Sequence, residues 1–157
     1  MDIICFHNPD EENGYLSNWY ESKFIIDHVK FSCMEQFMMY QKAITFQDQT
    51  IAKEILQTRD SAKIKQMGRQ VRNYNDHIWN GIRQIVVYEG LIAKFSQNEE
   101  LKKQLKETKI AILAECAVKD RIWGIGLSMK DLKRFDITQW RGQNLLGYAL
   151  MEVRKRL

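Results

Sequence analysis

Asp76-His77-Ile78-Trp79-Asn80-Gly81-Ile82-Arg83-Gln84-Ile85-Val86-Val87-Tyr88-Glu89-Gly90-Leu91-Ile92-Ala93-Lys94-Phe95 is the stretch that decides the fold. It holds no proline and predicts one long helix. Ile78, Ile82, Ile85, Val86, Ile92 and Ala93 recur at helical spacing and form one expected apolar stripe. Gly81 and Gly90 each cost such a helix about 1 kcal/mol against alanine, so each is expected at a close contact. The only proline of the chain is Pro9, so helices can run unbroken after it.

Upstream, helices are expected over Ser61 to Gln70 and Asp48 to Gln57. Another begins at Ser32-Cys33-Met34-Glu35, a capping-box pattern, and runs to about Ala43. Phe24-Ile25-Ile26 and Val29-Lys30-Phe31 flank Asp27-His28 and predict a small hairpin. Ile3 to Phe6 reads as a strand and Asn8 to Asn18 as a loop. Downstream, Asn98 is placed to cap a helix carrying Leu101 and Leu105. Ile110 to Cys116 fits strand or helix. A last helix starts near Gln143, with Leu146, Ala149, Leu150, Val153 and Leu157 on its core face. The sum is an α+β fold, predominantly α-helical, with a small β-hairpin or sheet.

A length of 157 residues suggests a single domain spanning 1–157. Apolar residues make up 45% and charged residues 28%, a globular rather than disordered composition. No apolar run approaches about 20 residues, so no membrane partner is expected. Met1-Asp2-Ile3-Ile4-Cys5 does not read as a signal peptide, and a cytoplasmic location is the expectation. Cys5, Cys33 and Cys116 are odd in number and scattered, as in a protein with reduced thiols. His7, His28 and His77 lack metal-ligand spacing, so neither a metal nor another cofactor is implied. The net charge of +4 permits phosphorylated partners, DNA among them, without pointing to nucleic acid.

Several groups carry possible chemistry. Glu35 and Lys42 are seven positions apart, nearly two helical turns, and project from one face with Met38 and Met39 between them. Burial there would lower the lysine pKa and make it a nucleophile or base. The same residues also read as a helix cap and a solvated amine. Asn18 and Trp19 read as a hydrogen-bonding and stacking wall, or as a turn beside an anchor. Trp79 reads as a core anchor or a ring-binding wall. Lys63, Lys65, Arg69 and Arg72 form a basic cluster, in which Arg69 is placed to meet a phosphate. Asp120, Trp123, Gly124 and Gly126 crowd one short turn. It is no dinucleotide fingerprint, since Met129 stands where a third glycine is needed. Finally, Trp140-Arg141-Gly142-Gln143-Asn144 opens the last helix. Its free N–H groups offer an anion site there, or Asn144 simply orients the turn.

In order, Leu16-Ser17-Asn18-Trp19-Tyr20, Glu35-Gln36 with Lys42-Ala43, Lys94-Phe95 with Gln97-Asn98, Asp120 before Trp123-Gly124-Ile125-Gly126, and Gly142-x-Asn144-x-Leu146-Gly147 with Leu150-Met151 and Arg154 resemble the NADAR (YbiA-like) family. The likeness covers Phe6 to Arg154. It implies a small α-rich α+β fold and hydrolysis of N-glycosidic bonds without a cofactor. It assigns functional positions to Glu35, Lys42, Trp79 and Asp120. Two substrate classes follow from it: phosphoribosylamino-pyrimidine intermediates of riboflavin synthesis, and ADP-ribosylated guanine in nucleotides or DNA. A non-catalytic module that binds ADP-ribose or NAD is a third reading. Met38-Met39-Tyr40 departs from the family pattern and bears on pocket shape. In the mechanism this suggests, Lys42 attacks ribose C1, Glu35 shuttles a proton and Asp120 is a second acid/base. Trp79 and Trp123 would hold the heteroaromatic ring, and Arg69 with the Gly124–Gly126 backbone would contact phosphate. A direct-water route using the two carboxylates is the competing mechanism.

Overall fold

Two units build the computed structural model of the chain, which describes residues 1–157. One comprises Glu21–Asn98; the other joins Met1–Tyr20 to Glu99–Leu157. Six α-helices and four short strands make up an α+β, predominantly helical fold.

The Glu21–Asn98 unit begins with the expected hairpin, β2 (Phe24–Ile26) against β3 (Val29–Phe31), antiparallel. Asp27 and His28 both take positive φ, 51° and 67°, which gives the two-residue turn the twist its strands need. Helix α1 (Met34–Thr45) follows, close behind the hairpin. The capping box is not formed. Cys33 is the N-cap and makes no side-chain cap bond, while Gln36 Oε1 accepts the Ser32 N–H at 2.7 Å. Gln36 lies four residues on from Ser32 and reaches back in the role expected of Glu35. Helices α2 (Gln49–Leu56), α3 (Ser61–Arg69) and α4 (Asp76–Ser96) are capped by Asp48, Asp60 and Asn75, whose side chains accept first-turn amides. Asp48 also accepts the Arg72 N–H at 2.9 Å and so ties α2 to the segment before α4.

Helix α4 is rotated from its expected orientation. Trp79, Val87, Leu91 and Phe95 are buried, whereas Ile78 is 50% and Ile85 61% exposed. The cause lies at Gly90. A Cβ there would stand 2.6 Å from the Phe37 ring and 2.7 Å from Met34 Sδ, so α4 approaches α1 along the glycine side. Gly81, by contrast, has nothing within 4 Å of an added Cβ, so only one of the two helical glycines marks a close contact.

In the second unit, β1 (Ile3–Phe6) pairs parallel with β4 (Ile112–Glu115), in register Ile3↔Ile112 to Phe6↔Glu115. The ambiguous segment is therefore a strand. Helix α5 (Glu99–Glu107) precedes it. Asn98 does not cap α5: its amide donates to the carbonyls of Lys94 and Lys23. Helix α6 (Leu145–Arg156) packs on β4 and buries Leu146, Gly147, Leu150 and Val153. A Cβ on Gly147 would lie 1.9 Å from the Leu113 carbonyl oxygen, so only glycine permits this approach. No helix is long and apolar enough to cross a membrane.

Candidate active site

Helix α1 carries two of the predicted site residues, Glu35 and Lys42. Glu35 is buried in its first turn, where the helix dipole favours a carboxylate. Lys42 is half-buried in the last turn. Its Nζ lies 4.5 Å from the centroid of the Tyr74 ring. Burial holds the Lys42 amine below its ordinary value; the carboxylates of Asp76 and Glu35 oppose that shift, and the Arg69 guanidinium adds to it. Asp76 opens α4, and its carboxylate lies near the Tyr74 hydroxyl. The Tyr74 phenol is accordingly pushed up to about 12, first by burial and then by the Asp76 carboxylate. Glu35, Lys42 and Arg69 thus belong to one electrostatic neighbourhood, completed by Tyr74 and Asp76.

Trp79, one turn along α4 from Asp76, lies in the same unit's core with Ala43, Phe46, Ile55 and Ile64 and is only 7% exposed. Its placement matches a core anchor. Arg69, with Lys63, Lys65 and Arg72, is exposed to solvent.

The other predicted residues lie in the second unit, largely in one tight turn. Asp120 Oδ1 accepts from the amides of Ile122 (3.0 Å) and Trp123 (2.8 Å). A Cβ at Gly124 would meet the Asp120 and Glu115 carbonyl oxygens, each at 2.9 Å. Gly126 takes φ +73°, a left-handed conformation that favours glycine. Local packing therefore accounts for both glycines. Asn144 is fully buried and also left-handed (φ 54°). Its side chain accepts the Glu115 N–H at 3.1 Å and donates to the Leu113 carbonyl at 2.8 Å. That is the turn-orienting alternative, and it ties the side chain to β4. The anion site expected at the start of α6 is absent as well. The amides of Asn144, Leu145 and Leu146 donate to the carbonyls of Gly124, Ile122 and Trp123 at 3.0–3.1 Å. Asn18 is buried, and the neighbouring Trp19 is partly exposed.

A family model for the NADAR domain matches residues 5–157. The chain belongs to the NADAR family. Among NADAR relatives, the N-glycosidase R617 of Acanthamoeba polyphaga mimivirus is 40% identical over 160 residues, covering 97% of this chain and 94% of the relative. The riboflavin biosynthesis protein VVA0006 of Vibrio vulnificus (strain YJ016) is 30% identical over 154 residues, 98% of this chain but only 38% of that longer protein. The NMR structure of the Escherichia coli protein YbiA superposes with a TM-score of 0.81 at 28% identity, covering 99% of this chain and 84% of that one. This NADAR protein is an N-glycosidase, a hydrolase acting on N-glycosyl compounds.

Two features of the NADAR chain were not singled out as functional by sequence reasoning. Tyr74 and Asp76 meet Lys42 only through tertiary packing of α4 on α1, so no spacing along the chain reports them. Lys94 is fully buried, and burial lowers its amine to about 7, with Cys33 opposing. A charged residue type gave no sequence signal of burial at that position, because lysines normally stay solvated.

Proposed function

We propose that this hydrolase cleaves the bond between ribose C1 and the exocyclic amine of a heteroaromatic base, on phosphoribosylamino-pyrimidines of riboflavin synthesis, with Lys42 as nucleophile. The observation that carries this reading is the half-buried Lys42 amine, held below its ordinary value beside the Glu35 and Asp76 carboxylates. A neutral amine is a nucleophile; a protonated one is not. Lys94, the other lysine with a lowered value, has no exposed surface by which a substrate could reach it.

The chemistry balances without a cofactor. With a proton delivered to the ring oxygen, the aminal opens its sugar ring to an iminium at C1 that keeps its exocyclic N–H. The Lys42 lone pair adds to C1, forming the Nζ–C1 bond. A proton then passes from Nζ to the exocyclic nitrogen, the C1–N bond breaks and the base leaves as a neutral amine. Water adds to the resulting Lys42 iminium, the Nζ–C1 bond breaks, and ribose 5-phosphate departs. Glu35 is assigned the proton transfers. Asp120 is assigned a second acid/base role on the family resemblance. Asn18, Trp19 and Trp123 are kept as candidate substrate contacts on the same resemblance.

The name of the Vibrio vulnificus relative favours the riboflavin-pathway substrate. A second reading, release of ADP-ribose from guanine in DNA or nucleotides, is favoured by the exposed cations Lys63, Lys65, Arg69 and Arg72 on and after α3. They suit a pyrophosphate or a nucleic-acid strand. Parallel assays on phosphoribosylaminouracil and on ADP-ribosylated guanine DNA, each quenched with borohydride and mapped by mass spectrometry, test both claims. The substrate that turns over faster names the class. Full turnover of either without a Lys42 adduct, with Lys42→Ala keeping its rate, would reject the covalent route in favour of direct attack by water.

A further inference from the structure

Tyr74 stands out from the other residues around Lys42. It is 42% exposed, yet its ring makes two specific contacts. Its edge packs on Phe46, with centroids 5.3 Å apart and planes at 68°. Its hydroxyl lies near enough to the Asp76 carboxylate for its pKa to be raised. Its face is presented to Lys42 Nζ at 4.5 Å. Asn73, just before it, takes φ 61°, so the backbone turns sharply to deliver the ring to this position. An exposed aromatic held against Phe46 with its face to an amine is placed rather than incidental.

We propose that Tyr74 is the electrostatic partner of the reacting nitrogen, stabilising the iminium formed between Lys42 and ribose C1 through its π face. This rests on the reading of Lys42 as nucleophile. In the free amine, Nζ carries no charge and gains little from the ring. In the iminium the same nitrogen is cationic, and C1 bonded to it shares that charge. An aromatic face attracts a cation lying within about 6 Å of its centroid. The attraction therefore grows as the covalent intermediate forms, which is the condition for lowering a barrier rather than merely binding substrate. Phe46 packs on the ring and holds it, so that it does not have to be oriented during the reaction. The phenolic oxygen is not required for the stabilisation; the ring is.

The test uses ribose 5-phosphate as probe, since its aldehyde condenses with an amine to give the same iminium and one water. Cyanoborohydride delivers hydride to C1 and fixes the adduct as a secondary amine, which peptide mass spectrometry locates and quantifies. Wild-type protein is compared with Tyr74→Leu, Tyr74→Met and Tyr74→Phe, with thermal melting as the folding control. Trapping at Lys42 is normalised to an exposed lysine such as Lys63 in the same sample. Trapping in Tyr74→Leu and Tyr74→Met is expected to fall about tenfold, the order of a desolvated cation–π contact. Tyr74→Phe is expected to restore it. In turnover assays the loss should appear in kcat with KM little changed. Equal trapping at Lys42 in the Leu, Met and Phe variants overturns the role of Tyr74 while leaving Lys42 as nucleophile. Absence of any Lys42 adduct in wild-type protein overturns the reading of Lys42, and the proposal with it.

Discussion

The Lys42 neighbourhood and the Asp120–Gly147 segment both look like sites in the sequence, but folding accounts for far more of the second than of the first. In the turn, each conspicuous residue is taken up by folding. Gly124 fits between two carbonyls, Gly126 supplies a positive φ, and Gly147 lets α6 touch β4. The Asn144 side chain bridges Leu113 and Glu115. Around Lys42 the reverse holds. A half-buried amine and an exposed phenol stabilise nothing that an apolar pair would not stabilise better, since desolvating an amine opposes folding. The difference teaches that glycines and caps announce backbone geometry. A titratable group kept at an energetic disadvantage is the better pointer to function.

Lys42→Ala is expected to have the largest effect. It should lower kcat by about 10³-fold or more while leaving the melting temperature unchanged or higher, because a nucleophile contributes to rate and not to the core. Steady-state assays with thermal melting check both halves. The pH profile adds a signed prediction. With Lys42 as the proposed nucleophile only its neutral form reacts, so the rate should rise with pH through a limb displaced below the ordinary lysine value of 10.5. Asp76→Asn removes a carboxylate that favours the charged amine, and should move that limb to lower pH. Arg69→Ala removes a repelling cation and should move it higher.

Next in size is Gly147→Ala. Its Cβ would be forced to 1.9 Å from a backbone oxygen that cannot swing away. Unfolding free energy should fall by about 3 kcal/mol or more, read by denaturant titration. A fully stable variant would show that α6 can lift from β4, and packing would then no longer account for the residues of the turn.

Asp120→Asn asks whether the turn also holds one group with work beyond folding. Asparagine keeps the oxygen that accepts from Ile122 and Trp123, so stability should change by less than about 1 kcal/mol. If Asp120 is an acid/base, kcat falls about 10²-fold. An unchanged kcat would make Asp120 one more structural member of the turn.

Helix caps, proline-free apolar runs and two-residue turns act within a few residues, and those parts of the fold were legible. The hairpin at Asp27-His28, strand β1 and the bounds of α2, α3 and α4 all fall close to expectation. Features set by a partner element were not legible. The rotation of α4 follows from Met34 and Phe37 meeting Gly90, and the apolar residues on either side of its axis offered two stripes to choose from. Asn98 reaches to Lys23, a contact across 75 positions, instead of capping its own neighbour. The site shows the same division. Glu35 and Lys42 share a helix, so their spacing reports them. Tyr74 and Asp76 arrive at and just before the start of α4, some thirty positions from Lys42 along the chain.

Lys94 belongs to neither side of the comparison, and its smaller effect sharpens it. The side chain is fully buried in α4, and its amine titrates near 7 in the fold against 10.5 for an ordinary lysine. Between those values the unfolded chain binds a proton that the folded chain has released. Stability therefore rises with pH across this window, and below about 7 the group adds no further slope. From near pH 7 to near pH 9, Lys94 should contribute a gain of about 2 kcal/mol, at 1.4 kcal/mol per pH unit less the curvature around its pKa. Lys94→Met keeps an unbranched chain of similar length and should lack that gain. Guanidinium titrations of both proteins at the two pH values measure it. An equal slope in the variant would mean that Lys94 stays charged inside the fold.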